Sequence, residues 1–263
     1  MVTIPNIPSK LYTSFNEVKF NDYTHTYMAY GKKLISVTTI IHKYEAEFNK
    51  DYWSAYKAEE YGMPEIEVID GWNFLNKKAI IKGSLAHNYA ENLFLNKKYD
   101  YPADYVNSVF GYDPVKEDYN KTVNHINNFY KASYNKLIPI RTEMVVFDDE
   151  YGIGGMVDLL FYNLKAKEWQ IWDWKTNKEF TKENKWGNMM SGRLGLLQSC
   201  HHEIYSLQLS AYKYIIEKNT GIKLGKSYLV WIPAEYDNYE VIEAKDRQNY
   251  VEIMFEEFLN EVA

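Results

Sequence analysis

Two aspartates and a lysine are the residues of this chain best suited to chemistry. Asp158 ends the sequence GlyGlyMetValAsp, and Asp173 and Lys175 stand further along in AspTrpLysThr. Carboxylate oxygens are the ligands that Mg²⁺ prefers, and a bound ion beside an ammonium group can activate water and neutralise phosphate charge. If the fold brings them together, the three residues indicate metal-dependent hydrolysis of a phosphodiester.

A hairpin is the element that must position these residues. Two segments rich in leucine, β-branched and aromatic residues flank AsnLeuLysAlaLys at 163–167, which is predicted to be the turn. A turn centred between 165 and 166 places Asp158 opposite Asp173, and opposed side chains lie about 5 Å apart. Lys175 shares the face of Asp173, while the tryptophans on either side of Asp173 point to the other face. A slip of one residue would separate the carboxylates.

The hairpin alone leaves two interpretations open. Opposed carboxylates repel each other, so a partly buried pair requires a compensating cation. That cation is either a divalent metal ion or the ammonium group of Lys175 alone, in which case the cluster is structural.

Length and composition limit the class of protein. A chain of 263 residues suffices for one large α/β domain with a full hydrophobic core. Cys200 is the single cysteine, which excludes an intrachain disulfide and any all-cysteine zinc or iron–sulfur site. Residues 1–10 lack the apolar core of a signal peptide, and no apolar run could span a bilayer. We therefore expect a soluble cytoplasmic protein that does not engage membranes.

The charge is distributed unevenly. The net charge is −6, and residues 44–70, with eight acidic residues against two lysines, account for all of it. Residues 165–193 carry seven basic against four acidic residues, a net +3 beside the predicted site. Phosphate groups would find partners there, so the following residues are predicted to bind nucleic acid: Lys178, Lys182, Lys185 and Arg193.

The remaining pattern predicts a single domain over 1–263. Residues 1–44 form an N-terminal hairpin region with strands between 15 and 41, and 45–136 are mainly helical. Residues 137–263 form the core, joined by a helix at 84–97. Strands are predicted at 140–147, 155–162, 169–175 and 226–231, and helices at 203–219 and 245–262. The simplest assembly is an α/β fold with a central mixed four-stranded sheet flanked by helices.

Two small clusters receive structural interpretations. Gly152, Gly154 and Gly155 are followed by no GlyLysSer or GlyLysThr, so they are predicted to allow a turn and a close approach at the strand of Asp158. Cys200 and the two histidines after it match no structural zinc site, and we interpret them as a helix start.

Four motifs in order resemble a known family. They are GlyxxxHis at 83–87, GlyGlyMetValAsp, AspTrpLysThr and GlnxxxTyr at 208–212. This order resembles the PD-(D/E)XK nucleases, specifically the RecB-like exonuclease branch, over residues 83–212. The N-terminal segment is similar to that of phage and mitochondrial single-strand exonucleases. The resemblance implies a restriction-endonuclease-like core that uses Mg²⁺ or Mn²⁺, and Cys200 alone cannot hold the iron–sulfur cluster of some relatives.

The resemblance also implies roles for individual residues. Asp158 and Asp173 match the acidic metal ligands, and Lys175 matches the lysine that orients or helps to deprotonate the attacking water. The backbone carbonyl of Trp174 and the side chain of His87 would be further metal ligands.

Less specific matches complete the predicted site. Glu143 is placed near the metal on the strand before the hairpin, although it could instead pair with Arg141. Glu91 shares a helix face with the histidine one turn earlier. Gln208 and Tyr212 lie on one helical face and would either contact DNA or support the catalytic lysine.

The implied function is an exonuclease acting on single-stranded DNA ends in recombination, repair or replication. Such a protein would be bacterial or phage-encoded, with recombination or replication proteins as further partners. The helical segment 45–136 is expected to form a wall or arch over the site. Three alternatives remain: an endonuclease of the same fold, a non-catalytic DNA-binding protein of that fold, and a hydrolase of small phosphate compounds.

Overall fold

The computed structural model describes residues 6–21 and 24–262. Residues 1–5, assessed above for a signal peptide, lie outside the described residues, as do Asp22 and Tyr23 of the predicted N-terminal strands.

A mixed sheet of eight strands forms the centre of the fold. The strands are β1 Val18–Asn21, β2 Thr26–Ala29, β3 Lys32–Ser36, β4 Leu137–Asp148, β5 Ile153–Asn163, β6 Glu168–Lys175, β7 Tyr228–Trp231 and β8 Glu240–Glu243. Their order is β1-β2-β3-β5-β6-β7-β8, and β4 pairs with β5. The four predicted strands correspond to β4–β7. The prediction of a four-stranded sheet was wrong because β3 and β8 extend it through pairings with β5 and β7, which local patterns do not reveal.

Eight α-helices within the described residues surround the sheet. They are α1 Lys10–Thr13, α2 Val37–His42, α3 Lys50–Tyr61, α4 Glu65–Phe94, α5 Ala103–Phe110, α6 Lys116–Ser133, α7 His201–Thr220 and α8 Gln248–Val262. The predicted helix 84–97 is the last part of α4, which begins directly after Pro64. None of the helices in this part of the chain is both long and apolar enough to span a bilayer.

The N-terminal region departs from the predicted strand at Val37. The β-branched run from Val37 is helical because Ser36 caps it, its side chain accepting a hydrogen bond from Thr39 N at 3.0 Å. Val37, Ile40 and Ile41 are fully or almost fully buried, so tertiary packing outweighs strand propensity. A turn joins β2 to β3, with positive φ at both Tyr30 and Gly31.

The hairpin of β5 and β6 has the predicted register. Leu159 pairs with Trp172, and the pairs continue to Asn163 and Glu168. Asn163 fixes the turn, since its Oδ1 accepts hydrogen bonds from the backbone N–H groups of Lys165 and Ala166, both at 3.0 Å. Trp172 and Trp174 point away from the site into a cluster with α4 and α6, as predicted.

The edge of β5 is shared by two strands. β4 pairs along the whole of one edge, so β3 and β6 must both lie on the other. β3 pairs in parallel with Ile153 and Gly154, and β6 pairs antiparallel with Leu159–Asn163. Among the described residues, 155–158 have no strand partner on this edge. The sheet therefore forks at Asp158.

A buried charge cluster joins α7 to the segment between β8 and α8. Glu203 is 5% exposed and accepts hydrogen bonds from Arg247 Nε at 2.8 Å and Nη2 at 2.9 Å, with Lys245 as a third partner. Burial by itself would raise the pKa of Glu203, but the hydrogen bonds from Arg247 and Lys245 outweigh it and lower that pKa.

We expect Glu203→Gln to be less stable than the wild type by about 2 kcal/mol at neutral pH. A pKa lowered by folding stabilises the protein above the usual glutamate pKa, and this stabilisation is lost as the pH falls through the folded-state pKa. The difference between variant and wild type should therefore shrink in acid. Urea unfolding at neutral and acidic pH measures it, with exposed Glu256→Gln as the control. A difference independent of pH would contradict the expectation.

Candidate active site

Helix α4 brings His87 to the fork in the sheet. Its residues Ala86 and Ala90 are fully buried against the tryptophan face of the sheet. Gly83, one turn before His87, lies so close to the end of β6 that a Cβ atom there would be 3.3 Å from Thr176 Oγ1. The GlyxxxHis spacing therefore has a physical basis, because a small residue at 83 allows the helix to approach and deliver His87.

Three potential ligands converge at the fork. His87, Glu143 and Asp158 each offer one ligand atom, and these atoms all lie within 4.8 Å of one another. His87 Nδ1 is 3.3 Å from Asp158 Oδ2. Glu143 faces Asp158 across the β4–β5 ladder, as the neighbouring pair Met144 and Val157 indicates. The structure thus places Glu143, which was predicted to lie near the metal, beside His87 and Asp158.

Glu143 has an unusual backbone conformation. Its φ is +44°, a left-handed value inside a β-strand. Non-glycine residues adopt this conformation at a cost of about 1 kcal/mol or more, and such strain clusters at functional sites. The strand is distorted where it presents the carboxylate to His87 and Asp158.

Asp173 lies beside this group and not within it. Its Oδ2 is 2.6 Å from Lys175 Nζ but makes no well-directed hydrogen bond. Trp174 N donates to Asp158 Oδ2 at 2.8 Å. Since the N–H and C=O of a strand residue point to the same edge, the carbonyl of Trp174 also faces β5. Of the predicted metal ligands His87, Asp158, Asp173 and the Trp174 carbonyl, the structure brings His87 and Asp158 together with Glu143, while Asp173 is paired with Lys175 beside them.

The titration of the cluster reflects buried like charges. Burial and repulsion from Asp158 raise the pKa of Glu143 to about 8 and that of Asp173 to about 6. Burial by itself would lower the pKa of His87, but the Asp158 carboxylate raises it to about 9. For Asp158, burial alone would raise the pKa, but the positive charges of His87 and Lys175 hold it below the usual value.

This cluster fits a divalent cation. Three buried or half-buried carboxylates share one space, and without an ion they are balanced by His87, Lys175 and bound protons. Oxygen ligands with one imidazole suit Mg²⁺ or Mn²⁺. Asp173 adds a further buried carboxylate at the edge of this group, where it is paired with Lys175 at 2.6 Å.

Lys175 is held by α7. Its Nζ donates to Gln208 Oε1 at 3.0 Å, and Gln208 Nε2 donates to Tyr212 OH at 3.0 Å. Tyr212 is 3% exposed, which does not suit a contact to DNA, so the geometry matches the alternative role of supporting the lysine. We call Gln208 and Tyr212 the lysine clamp. The sequence interpretation missed Tyr205, whose ring centroid is 4.4 Å from Lys175 Nζ.

The site opens into a cavity of about 720 Å³. His87, Lys175 and Tyr205 line it, together with lysines 78, 82 and 178. Lys78 and Lys82 were not predicted to belong to the site. Lys82 is 6% exposed and donates to Thr176 O at 3.0 Å, whereas Lys78 pairs with Asp118 at 2.8 Å. Their spacing of four residues on the helix of His87 was the available signal.

The predicted nucleic-acid residues are only partly brought together. Lys178 lines this cavity. Lys182 pairs with Glu240 at 3.0 Å, Arg193 lies 3.7 Å from Glu257, and Lys185 lines a separate cavity. Local sequence could not show these pairings, because the acidic partners come from distant parts of the chain.

Two further predictions have clear outcomes. Glu91 lies outside the group of three ligands. Cys200 is the N-cap of α7, which begins at His201, so the interpretation of this cluster as a helix start is confirmed.

Two substitutions of Glu143 distinguish the effect of its carboxyl group on stability from the effect of its backbone strain. In EDTA at neutral pH we expect Glu143→Gln to melt at a higher temperature than the wild type. With a pKa of about 8, the buried carboxyl of Glu143 must take up a proton on folding, and glutamine avoids this cost. Glu143→Gly also relieves the positive φ, worth about 1 kcal/mol, and should be at least as stable. Both variants should lose most of the stabilisation that Mn²⁺ gives the wild type. Thermal melting with EDTA or Mn²⁺ checks this, and a full Mn²⁺ effect in both variants would exclude Glu143 as a ligand.

Comparison with known proteins gives distant likenesses. No family model and no curated protein matches the chain. A solved structure named "Putative exonuclease" from Eubacterium rectale has 13% identity and a TM-score of 0.42, over 70% of this chain and 65% of its own. A second, SSO0001, has 13% identity and a TM-score of 0.27, over 68% and 85%. The chain thus spans just under two thirds of the first protein, and the chemistry of the site rests on its own residues.

Proposed function

We propose that this protein is a metal-dependent nuclease of the PD-(D/E)XK type, acting on DNA. The observation that carries the proposal is the convergence of His87, Glu143 and Asp158 within 4.8 Å, beside the pair of Asp173 and Lys175. The structural alternative is an ion cluster neutralised by Lys175 alone. It does not account for the additional carboxylate of Glu143, whose backbone is strained.

The side chains divide the work of hydrolysis. His87, Glu143 and Asp158, with Asp173 and the carbonyl of Trp174 nearby, would hold Mg²⁺ or Mn²⁺. The chemistry supplied by such an ion is activation of water and neutralisation of phosphate charge. Burial alone would lower the pKa of Lys175, but the Asp173 carboxylate raises it, so the side chain stays a cation. Fixed between Asp173 and Gln208, Lys175 would orient the attacking water by donating hydrogen bonds to it.

The cavity favours a nucleic-acid strand as substrate. Its volume of about 720 Å³ suits one or two nucleotides. The exposed Lys178 supplies a cation for phosphate groups, while Leu75, Ala79 and Ile80 of α4 present an apolar wall to bases. We therefore propose single-stranded DNA ends as the substrate and exonucleolytic cleavage as the reaction, with an endonuclease as the alternative.

One assay tests the proposal. Linear and circular DNA, single- and double-stranded and labelled at either end, is incubated with Mg²⁺, Mn²⁺ or EDTA. We expect metal-dependent loss of terminal nucleotides from linear single strands, reduced by about 10³-fold in Lys175→Ala. Lys165→Ala, on the exposed hairpin turn, is the matched control. Rapid cutting of circular strands would favour the endonuclease, and DNA binding without products would favour a non-catalytic protein.

A further inference from the structure

The first part of the helical region is a projecting arm that the catalytic site does not use. We define the arm as residues 48–73, comprising α3 and the start of α4. Ser54 is the buried residue of α3, and Val68 is the buried residue of this part of α4. The other buried residues of α4 begin at Ile81, where the helix packs on the body. The two helices are joined to each other by the contact of Ser54 with Glu65.

Large apolar side chains cover the arm. The large apolar residues of the arm, with the exposed fraction of each, are Phe48 at 65%, Tyr52 at 58%, Trp53 at 36%, Tyr56 at 48%, Tyr61 at 56%, Met63 at 38% and Ile66 at 61%. Three of them touch, since Tyr56 stacks parallel to Tyr52 at 6.4 Å and meets Trp53 edge-on at 5.7 Å. Scattered apolar residues are normal on a protein surface, but a contiguous aromatic patch marks an interaction surface.

The charge of the arm selects the partner. Residues 48–73 hold six acidic residues against Lys50 and Lys57, and Lys57 is paired with Glu60. A nucleic-acid backbone would meet repulsion here, so base stacking on these rings lacks the cations that normally accompany it. A second copy of the arm would be repelled in the same way. A cationic partner is attracted, and its lysine or arginine side chains can lie over the rings. Lys57 already does so, with Nζ 5.2 Å from the ring centroid of Tyr61.

We propose that the arm is a docking surface for a basic, amphipathic segment of another protein. Apolar side chains of that segment would pack on the patch formed by Tyr52, Trp53 and Tyr56. Its cationic side chains would meet the surrounding carboxylates. Aromatic anchors surrounded by charged residues are the usual composition of such interfaces. Of the segment 45–136, which is expected to form a wall over the site, part of α4 from Leu75 to His87 and Asp118 of α6 line the cavity. The arm would serve recruitment.

Direct binding measurements test this surface. The probe is a fluorescent amphipathic peptide of leucine, lysine and arginine, about 20 residues long, and its counterpart has glutamate at every basic position. Fluorescence anisotropy should show that the wild type binds the basic peptide and not the acidic one. The affinity should fall as salt is raised from about 50 to about 300 mM, because the attraction is screened.

Two double variants test the apolar part and the acidic part of the arm separately. Tyr52→Gln with Tyr56→Gln removes apolar area, and Glu59→Gln with Glu67→Gln removes charge. Each pair should weaken binding by about tenfold or more. The control, Tyr105→Gln with Tyr134→Gln, replaces tyrosines that are equally exposed elsewhere. All six positions are exposed, so circular dichroism should show an unchanged fold.

The proposal is overturned if the wild type fails to bind the basic peptide, or if both pairs bind it as the wild type does. It is also overturned if the tyrosine pair instead loses binding to a single-stranded oligonucleotide, or if sedimentation shows self-association through the patch.

Discussion

Asp158→Asn is expected to reduce the rate of DNA cleavage in Mg²⁺ by about 10³-fold or more, equivalent to about 4 kcal/mol of transition-state stabilisation. Asp158 lies nearest to all the other elements of the site, 3.3 Å from His87 Nδ1 and 2.8 Å from Trp174 N. Asparagine keeps an oxygen for the Trp174 N–H but loses the negative charge that a metal ion requires. The effect should therefore fall on catalysis and leave the fold intact.

The measurement is kcat/KM on an end-labelled single strand, with thermal melting in EDTA as the check on folding. Asp149→Asn, in the exposed turn between β4 and β5, is the matched control and should cleave as the wild type does. A variant at Asp158 that retained full activity would remove the basis of the proposed function.

Gly155→Ala is expected to have the largest effect on stability, a loss of about 3 kcal/mol. A Cβ atom at this position would stand 2.4 Å from Cε1 of Tyr212, far inside van der Waals contact. Tyr212 is buried and hydrogen-bonded to Gln208, so its ring cannot move away without disturbing the lysine clamp. Cleavage should decrease together with stability.

Two further variants identify the cause. Tyr212→Leu removes the clashing ring atoms, so Gly155→Ala should cost far less stability in the Tyr212→Leu background than alone. Gly71→Ala in α4 meets nothing within 4 Å and should stabilise the protein by up to about 1 kcal/mol through helix propensity. Chemical denaturation measures the stability of five proteins: the wild type, Gly155→Ala, Tyr212→Leu, the double variant and Gly71→Ala. Full additivity of the two changes would show that Gly155 and Tyr212 do not interact.

The hairpin was predictable because its information is local. The alternating pattern assigned the faces, and the turn at Asn163 fixed the register through its own side chain. The close approach predicted for the glycines also follows from local reasoning, although the partner of Gly155, the ring of Tyr212, lies on a distant helix.

The rest of the site depends on long-range packing. Glu143 reaches the other ligands through a left-handed backbone conformation within a strand, and no sequence pattern predicts that conformation. Lys82 and Tyr205 reach the cavity only because α4 and α7 approach the end of β6 from separate parts of the chain. For the same reason the strand-like run from Val37 was misread, since its helical state is decided by burial.

The lysine clamp has a consequence for synthesis of the protein. The ligands His87, Glu143, Asp158 and Asp173 all leave the ribosome before α7, whereas Gln208 and Tyr212 come from the middle of that helix. A growing chain therefore contains every carboxylate of the proposed nuclease while its lysine is still unsupported. Since translation adds roughly 5–20 residues per second, this interval lasts a few seconds. The support of Lys175 by Gln208 and Tyr212 therefore forms only after residue 212 has been synthesised.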